Sequence, residues 1–382
     1  MEKNPEEELL AYISAIVQVT ADCNLKCKYC YMENGREKVG KKIMDLETVE
    51  NIVNKLTKTF RHVALVWHGG EPLLPGLNFY RGVVDIENQC KNSGKITNRM
   101  QTNATLAHDD LIDFLTKNGF KLGTSLDGPS EINDTVRQFC SGDGATRSIE
   151  NGMKIIQKYQ NIGAVCVVSK QNADAAEKIY QNLKDKKIEH AKLQPYNGAD
   201  SELKINNQSF FKFHKQIYDL LMNDSHPMKS VSPISDIIER MLGGKEKNYG
   251  GSTYLMGGCF SSNLVIDVNG NVYPCVMEGM EEYKLGNIKT SSAEEIFHSE
   301  IRKASLKKYE RLQSQCKDDC EYFYICQGGC MQVNLLSGRE MFSRNYFCSG
   351  KRELFSYIAD DLERRLSSLL EKKGLIRKAD AL

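Results

Sequence analysis

Three cysteines near the start of the chain have a spacing that suits a metal cluster. Cys23, Cys27 and Cys30 follow one another as Cx3Cx2C. A loop this short can place three thiolates at three corners of a cubane iron–sulfur cluster, which leaves the fourth iron for an outside molecule. The alternatives are a zinc site or three unrelated thiols. The spacing therefore predicts a cluster with one open coordination position.

A second group of cysteines lies in the last third of the chain. The protein has 13 cysteines in 382 residues, and an odd number cannot all pair within one chain. Its seven histidines show no paired spacing, so we expect sulfur to be the main ligand. The ordered cysteines of this group are Cys259, Cys275, Cys316, Cys320, Cys326, Cys330 and Cys348.

Charge and composition exclude several classes of protein. The net charge is +1, so the basic excess of a general nucleic-acid binder is missing. No apolar run approaches the ~20 residues that cross a bilayer. The chain begins Met-Glu-Lys-Asn-Pro and continues with three glutamates, unlike a signal peptide. We therefore expect a cytoplasmic protein, with reduced thiols, that binds neither nucleic acid nor a membrane.

Short apolar runs alternate with helical patterns over the first two-thirds of the chain. Strand–helix alternation of this kind is typical of βαβ units and a parallel sheet. A full eight-stranded barrel needs about 250 residues, and the pattern fades near residue 200. The sequence therefore predicts an α/β fold with a partial (β/α)6 TIM-like barrel. Its strands are expected at 16–20, 63–67, 99–102, 123–126, 164–169 and 192–195, with helical patterns at 46–59, 77–91, 108–118, 146–159 and 173–187.

The rest of the chain divides into regions that differ in amino-acid composition. Helical patterns fill the region that follows the barrel. From about residue 251 glycines, aromatics and cysteines become frequent, and we expect helical periodicity to be mostly lost until about residue 351. An Asn-Gly pair at Asn269 predicts a β-hairpin there, and basic residues from Arg302 to Lys308 are expected on a solvated helix. We predict a barrel over 1–205, a helical linker over 206–250, a cysteine-rich domain over 251–348 and a closing helix within 349–382.

Polar residues follow three of the predicted strands at their carboxyl ends. In folds of this type, functional groups gather at that end of the sheet. We therefore expect these residues to lie close to the cysteine loop. They are Gly69, Gly70 and Glu71 after the second strand, Gln101 and Asn103 at the third, and Ser125 and Asp127 at the fourth.

The cysteine loop resembles the cluster motif of the radical S-adenosylmethionine (SAM) superfamily, Cx3CxΦC, whose aromatic position is matched by Tyr29. Gly69-Gly70-Glu71-Pro72 is similar to the segment of that family that contacts the SAM amino group. The resemblance implies that Cys23, Cys27 and Cys30 hold the catalytic [4Fe–4S] cluster, and that SAM is cleaved to methionine and a 5′-deoxyadenosyl radical. It also implies SAM contacts from Tyr29, Gly69, Gly70, Glu71, Gln101, Asn103, Ser125, Asp127, Arg137 and Leu193.

The later cysteines resemble the SPASM domain, which carries two auxiliary [4Fe–4S] clusters in enzymes that modify peptides and proteins. Their pattern is Cx10Gx4C followed by Cx3Cx5Cx3C and a last cysteine. The first Cx3C has one residue more than the family usually shows, which a bulge could absorb. The resemblance implies that the nearer cluster binds Cys259, Cys275 and Cys330, and the farther one Cys316, Cys320, Cys326 and Cys348.

Only three cysteines are thereby assigned to the nearer cluster. Fully ligated relatives have a further cysteine shortly before the position of Cys259, and residues 250–258 contain none. An iron left open there could bind a substrate thiolate. A distant cysteine, a carboxylate or water is the alternative fourth ligand.

Two kinds of maturase fit this layout. Its length and motif order most resemble anaerobic sulfatase maturases, which oxidise a protein cysteine or serine to formylglycine. Those enzymes carry an aspartate base directly after the cysteine that corresponds to Cys275, whereas this chain has Val276 and only a conjectural substitute in Glu278. The valine favours the enzymes that modify ribosomally made precursor peptides, most simply by a thioether crosslink from a substrate cysteine.

Other functions stay open at this point. Formylglycine formation, carbon–carbon crosslinking and epimerisation are alternatives within the same enzyme class. A non-catalytic iron–sulfur electron carrier is an alternative from a different class. The expected partners of the enzyme are a precursor peptide or protein that contains cysteine and a reductant of the flavodoxin or ferredoxin type.

Overall fold

The structure, a computed structural model, describes residues 11–32, 42–90, 95–243, 259–277 and 280–372. Its first part alternates strands and helices, as the sequence predicts. The strands are β1 Tyr12–Thr20, β2 His62–Gly69, β3 Ile96–Thr102, β4 Lys121–Ser125, β5 Gly163–Val168, β6 His190–Pro195 and β7 Ser230–Ser232. The helices are α1 Leu46–Thr59, α2 Gly76–Gln89, α3 Asp109–Lys117, α4 Ser130–Val136, α5 Thr146–Gln157, α6 Ala176–Asp185, α7 Asn207–Asn223 and α8 Ile234–Met241.

The second part is built from shorter elements and two long helices. The strands are β8 Asn263–Ile266, β9 Asn271–Tyr273 and β10 Gly286–Asn287. The helices are α9 Cys259–Ser262, α10 Ala293–Phe297, α11 Glu300–Asp319, α12 Phe323–Cys326, α13 Met331–Leu336 and α14 Cys348–Lys372.

One sheet of ten strands runs through both parts of the described chain. Its order is β10-β9-β8-β1-β2-β3-β4-β5-β6-β7, and β1 to β7 are parallel neighbours. The six predicted barrel strands are confirmed, and β7 adds a seventh from the region expected to be purely helical. The predicted hairpin is formed by β8 and β9, and β8 also pairs in parallel with β1. The cysteine-rich part is therefore hydrogen-bonded to the edge of the barrel sheet.

The apolar periodicity of the helices explains how they cover the sheet. In α1 the Asp45 side chain caps the helix by accepting from the Thr48 amide at 2.7 Å. The same helix buries Val49, Ile52 and Leu56 at intervals of three and four residues. Alternate residues of the strands face this layer, and the remaining strand residues line the barrel interior.

Two expectations for the second part of the chain are wrong. Periodicity is not lost between residues 251 and 351, because α11 is a helix of 20 residues. Arg302, expected to be solvated, is buried: it donates to the carbonyl oxygen of Phe297 at 2.9 Å and to that of Ser261 at 2.5 Å. Its charge is used to satisfy two main-chain carbonyls, a role that a mixed-charge pattern does not reveal.

In the described part of the chain, no helix is long and apolar enough to cross a membrane.

A substitution at Gly152 in α5 tests how closely this helix packs against the main chain that follows β3. A Cβ at this position would lie 1.8 Å from the carbonyl oxygen of Ala104. We expect Gly152→Ala to lower the free energy of unfolding by about 2 kcal/mol, because the helix must move away from main-chain atoms. Gly82→Ala in α2 is the matched control, since it meets only the movable side chain of Leu46. Urea midpoints measure both; similar losses for the two variants would contradict the argument.

Candidate functional site

The loop with the first three cysteines follows β1 and is fixed by main-chain hydrogen bonds. The amide of Lys26 donates to the carbonyl of Gln138 at 2.7 Å, and the amide of Lys28 donates to that of Val136 at 2.9 Å. Leu25 is fully buried, whereas the three cysteines are half-buried. The loop therefore has a rigid backbone and presents its thiols at the carboxyl end of the sheet.

The two glycines after β2 approach this loop as closely as a backbone can. The amide of Gly70 donates to the Thr20 carbonyl at 2.8 Å. A Cβ on Gly70 would lie 1.8 Å from the carbonyl oxygen of Asp22, and Gly69 has φ +120°. Larger residues would push the two loops apart, so main-chain groups are what this segment can offer a ligand.

Glu71 is fully buried, and its carboxylate is used within the protein. It accepts from the Leu73 amide at 2.9 Å, the Thr102 hydroxyl at 2.5 Å and the Asn103 amide at 2.8 Å. Burial raises the pKa of Glu71 to about 7, although these three donors oppose the shift. The carboxylate thus joins the loop after β2 to the end of β3. Its predicted contact with an ammonium group stays a prediction, and the geometry favours a positioning role.

Asp127, Arg137 and Tyr29 form a buried network beside the cysteine loop. Asp127 accepts from Arg137 Nε at 2.9 Å, from the Val167 amide at 2.8 Å and from the Tyr29 hydroxyl. Arg137 lies over the Tyr29 ring, 5.2 Å from its centroid, and its Nη1 donates to Cys27 Sγ at 3.9 Å. The neighbouring negative groups hold the pKa of Arg137 well above its usual range. These residues lie together as predicted, and much of their hydrogen-bonding capacity is used within the network.

The remaining predicted SAM contacts separate into two groups. Gln101 donates to the Ser125 hydroxyl at 3.0 Å on the interior face, and Asn103 Nδ2 donates to Cys23 Sγ at 3.7 Å. Leu193 instead has its side chain buried in the hydrophobic core. Its predicted contact with SAM stays a prediction.

The barrel interior also holds polar groups beyond the predicted SAM contacts. His68 accepts at Nδ1 from the Gly69 amide at 2.8 Å, and burial lowers its pKa to about 4. Asp236 accepts from the Ser232 hydroxyl at 2.5 Å, and burial raises its pKa. Lys192 acts electrostatically on both groups. Strand alternation could have selected Lys192, but nothing local marks Asp236, which reaches the interior from α8.

Four of the later cysteines line one cavity. Cys316 lies in the last turn of α11 and Cys320 caps that helix, so three intervening residues place both thiols one helical turn apart. The expected bulge is therefore unnecessary. Cys326 ends α12 and Cys348 begins α14, which completes a four-thiol wall. Soft thiolates in this number fit an iron–sulfur cluster.

The remaining cysteines come from neighbouring segments. Gln332, which follows Cys330, donates to the carbonyl of Val276 at 3.0 Å and so brings Cys275 and Cys330 into adjacent segments. Cys259 begins α9 beside the sheet. Residues 244–258 and Glu278 lie outside the described residues, so the fourth ligand and the substitute base are not located.

Comparisons with known families agree with this geometry. The radical SAM superfamily matches residues 17–183, and an iron–sulfur cluster-binding domain named SPASM matches residues 259–321. This chain therefore contains a radical SAM domain followed by a SPASM domain. SAM and [4Fe–4S] clusters are the cofactors that these two domains imply.

Similar proteins extend over nearly the whole chain. A cysteine-type anaerobic sulfatase-maturating enzyme of Clostridium perfringens (strain 13 / Type A) is 29% identical over 90% of this chain and 95% of its own length. A serine-type enzyme of Bacteroides thetaiotaomicron is 25% identical over 93% of this chain and 91% of its own. A solved structure of native anSMEcpe with bound AdoMet and Cp18Cys peptide has a TM-score of 0.79, 26% identity and coverage of 91% and 99%. Streptococcus suis SuiB bound to precursor peptide SuiA, at TM-score 0.63 and 17% identity, shares the fold; coverage is 89% of this chain and 76% of that one.

The buried Asp127–Arg137 pair yields a stability prediction. Asp127→Asn keeps the shape but removes the negative charge, so Arg137 stays buried without it. We expect a loss of about 3–5 kcal/mol in the free energy of unfolding. Asp113→Asn, which breaks an exposed pair with Lys117, is the control and should cost under about 0.5 kcal/mol. Chemical denaturation compares the two; a small loss for Asp127→Asn would show that the network does not stabilise the loop.

Glu71 predicts a dependence of stability on pH. Its folded-state pKa of about 7 exceeds the ordinary value of 4.5, so the folded state binds the proton more tightly. Stability from this group is therefore complete below about pH 4.5 and falls by up to about 3 kcal/mol as the pH rises to about 7. We expect Glu71→Gln to flatten this fall in urea midpoints between about pH 4.5 and about pH 7. The exposed substitution Glu50→Gln should leave the wild-type slope, and an unchanged slope in Glu71→Gln would refute the assignment.

Proposed function

We propose that this enzyme oxidises a cysteine or serine side chain in a peptide or protein, as anaerobic sulfatase-maturating enzymes do. The observation that carries the proposal is the extent of the likeness, which covers nine-tenths of this chain and almost all of the C. perfringens enzyme. One structural neighbour, native anSMEcpe, holds bound AdoMet and Cp18Cys peptide in the same fold. The comparisons thus favour sulfatase-type maturation over the thioether chemistry expected from the sequence.

The cofactors would supply one-electron cleavage of SAM and a 5′-deoxyadenosyl radical that removes a hydrogen atom. At a substrate cysteine, the atom leaves Cβ, and one further electron and the thiol proton leave to give a thioaldehyde. Water then replaces sulfur, which departs as hydrogen sulfide, and the product is an aldehyde. At a serine, loss of the same hydrogen atom, electron and hydroxyl proton gives the aldehyde directly.

The chain's own groups hold the reactants and receive the proton. The thiols of the loop after β1 would bind the cluster, and the glycine carbonyls after β2 would face the SAM ammonium group. Val276 cannot accept a proton, so the acceptor must come from elsewhere. Asp236 and His68 are the candidate acceptors in the barrel interior; burial raises the pKa of Asp236 and lowers that of His68 to about 4.

The valine also supports a second candidate, thioether crosslinking. That reaction joins the cysteine sulfur to a carbon of another residue. It removes one hydrogen atom from the carbon and one proton and one electron from the thiol and carbon together. Sulfur is retained and no water enters, so the product differs from an aldehyde.

The two functions can be separated with three peptides that differ only in cysteine, serine or alanine at one position. The reconstituted, reduced enzyme with SAM should form 5′-deoxyadenosine together with an aldehyde that a hydrazide traps, with sulfur lost from the cysteine peptide. Retained sulfur, a blocked thiol and the loss of two hydrogens would establish the crosslink instead. If the cysteine and serine peptides gave no more 5′-deoxyadenosine than the alanine peptide, the result would count against both functions.

A matched pair of variants ties this activity to the first cluster. We expect Cys23→Ala to abolish 5′-deoxyadenosine formation and to lower bound iron. Cys140→Ala removes an exposed thiol outside the loop and should retain both. Iron analysis and chromatography measure the outcome, and equal losses in the two variants would contradict the assignment.

A further inference from the structure

The cavity at Cys316, Cys320, Cys326 and Cys348 contains a positive charge that no step above uses. Lys351 lies in the first turn of α14, one helical turn after Cys348, and lines the same cavity. Only 1% of its surface is exposed. A lysine is rarely buried to this degree, because its ammonium group loses hydration, so its neighbourhood must favour positive charge.

The main chain leaves room for this ammonium group. A Cβ on Gly329 would lie 2.9 Å from Lys351 Nζ and 3.2 Å from the Asn345 carboxamide. Gly329 lies between Cys326 and Cys330, which are expected to bind the outer and the inner auxiliary cluster. The ammonium group therefore stands beside the stretch of chain that joins the two ligand sets.

One further group at Cys326 acts in the same direction as the lysine. The Gly328 amide donates to the Cys326 sulfur, and Lys351 acts electrostatically on the same sulfur. Both would therefore stabilise negative charge on that sulfur.

The other charges on this cavity are weaker influences. Arg344 is paired with Asp319 at 2.6 Å, and both side chains are half-exposed. Arg352 lines the cavity but is exposed. Water screens those groups, whereas a buried charge acts through a medium of low polarisability.

A four-thiolate [4Fe–4S] cluster is anionic and gains one more negative charge on reduction. A fixed, buried cation stabilises the reduced form more than the oxidised form, so it raises the reduction potential. We propose that Lys351 raises the potential of the outer auxiliary cluster and makes it the favoured acceptor for an electron that leaves the inner one. The proposal extends the proposed function, since oxidation of the substrate requires one electron to leave for each hydrogen atom removed.

The test is a redox titration followed by electron paramagnetic resonance, without substrate. The full chain carries Cys23→Ala, Cys27→Ala and Cys30→Ala, so only the auxiliary clusters contribute signals. We expect Lys351→Met to lower the ratio of reduced to oxidised outer cluster about tenfold at a fixed potential, which is about 59 mV for one electron. Arg352→Met removes the adjacent but exposed charge in the same cavity and should shift the ratio less than half as far on the logarithmic scale.

A second measurement guards against misassembly of the first variant. Removal of a buried charge should raise the urea midpoint of the cluster-free chain and lower that of the cluster-loaded chain, and Lys351→Gln should behave in the same way. Three results would overturn the proposal. They are no shift in the reduction potential of the outer cluster, an equal shift in Arg352→Met, and a change in urea midpoint that has the same sign in the cluster-free and cluster-loaded chains. Because no substrate is present, these outcomes do not depend on the reaction that the enzyme catalyses.

Discussion

The buried ion pair between Asp127 and Arg137 is the interaction on which the geometry of the site depends. It comes from the end of β4 and the segment after α4, yet it fixes the aromatic residue of the cysteine loop and reaches the sulfur of Cys27. A buried carboxylate and guanidinium are costly to desolvate and are stable only when their remaining hydrogen bonds are made. The Tyr29 hydroxyl and the Val167 amide make those bonds, so the loop, β4 and β5 are held in one arrangement.

The backbone contact at Gly70 adds a second constraint of a different kind. The Asp127–Arg137 ion pair fixes one side of the cysteine loop by electrostatic attraction. The glycines fix the other side because, without side chains, they let the two backbones approach closely. Glu71 then extends this constraint to β3 through Thr102 and Asn103. Three strand ends are thereby linked to one short loop, which explains how a loop without regular structure can present three thiols in a constant arrangement.

Much of this arrangement follows from local sequence patterns. The barrel strands, the cysteine groups and the polar residues at the strand ends were predictable because periodicity and spacing are local properties of the chain. The joining of β8 to β1 was not, since it depends on a pairing between residues 14–17 and 263–266. Leu193 shows a related limit: a motif can select a residue on a strand, but the burial of its side chain depends on the packing of the whole fold. Arg302 shows another, because its burial depends on carbonyl groups brought to it by the fold.

The two cluster regions resolve the same electrostatic difficulty by different means. Thiolate clusters concentrate negative charge where water is scarce, and some positive charge or hydrogen bonding must offset it. Beside Cys27 the offset is Arg137, which Asp127 partly neutralises, so little net positive charge faces the first cluster. Beside Cys326 it is Lys351 together with the Gly328 amide. A neutralised cation favours a low potential, suited to giving an electron to SAM, and a buried lysine favours a higher one, suited to receiving an electron. With the proposed ligand assignments, this difference in local charge would direct an electron from the substrate toward the SPASM domain.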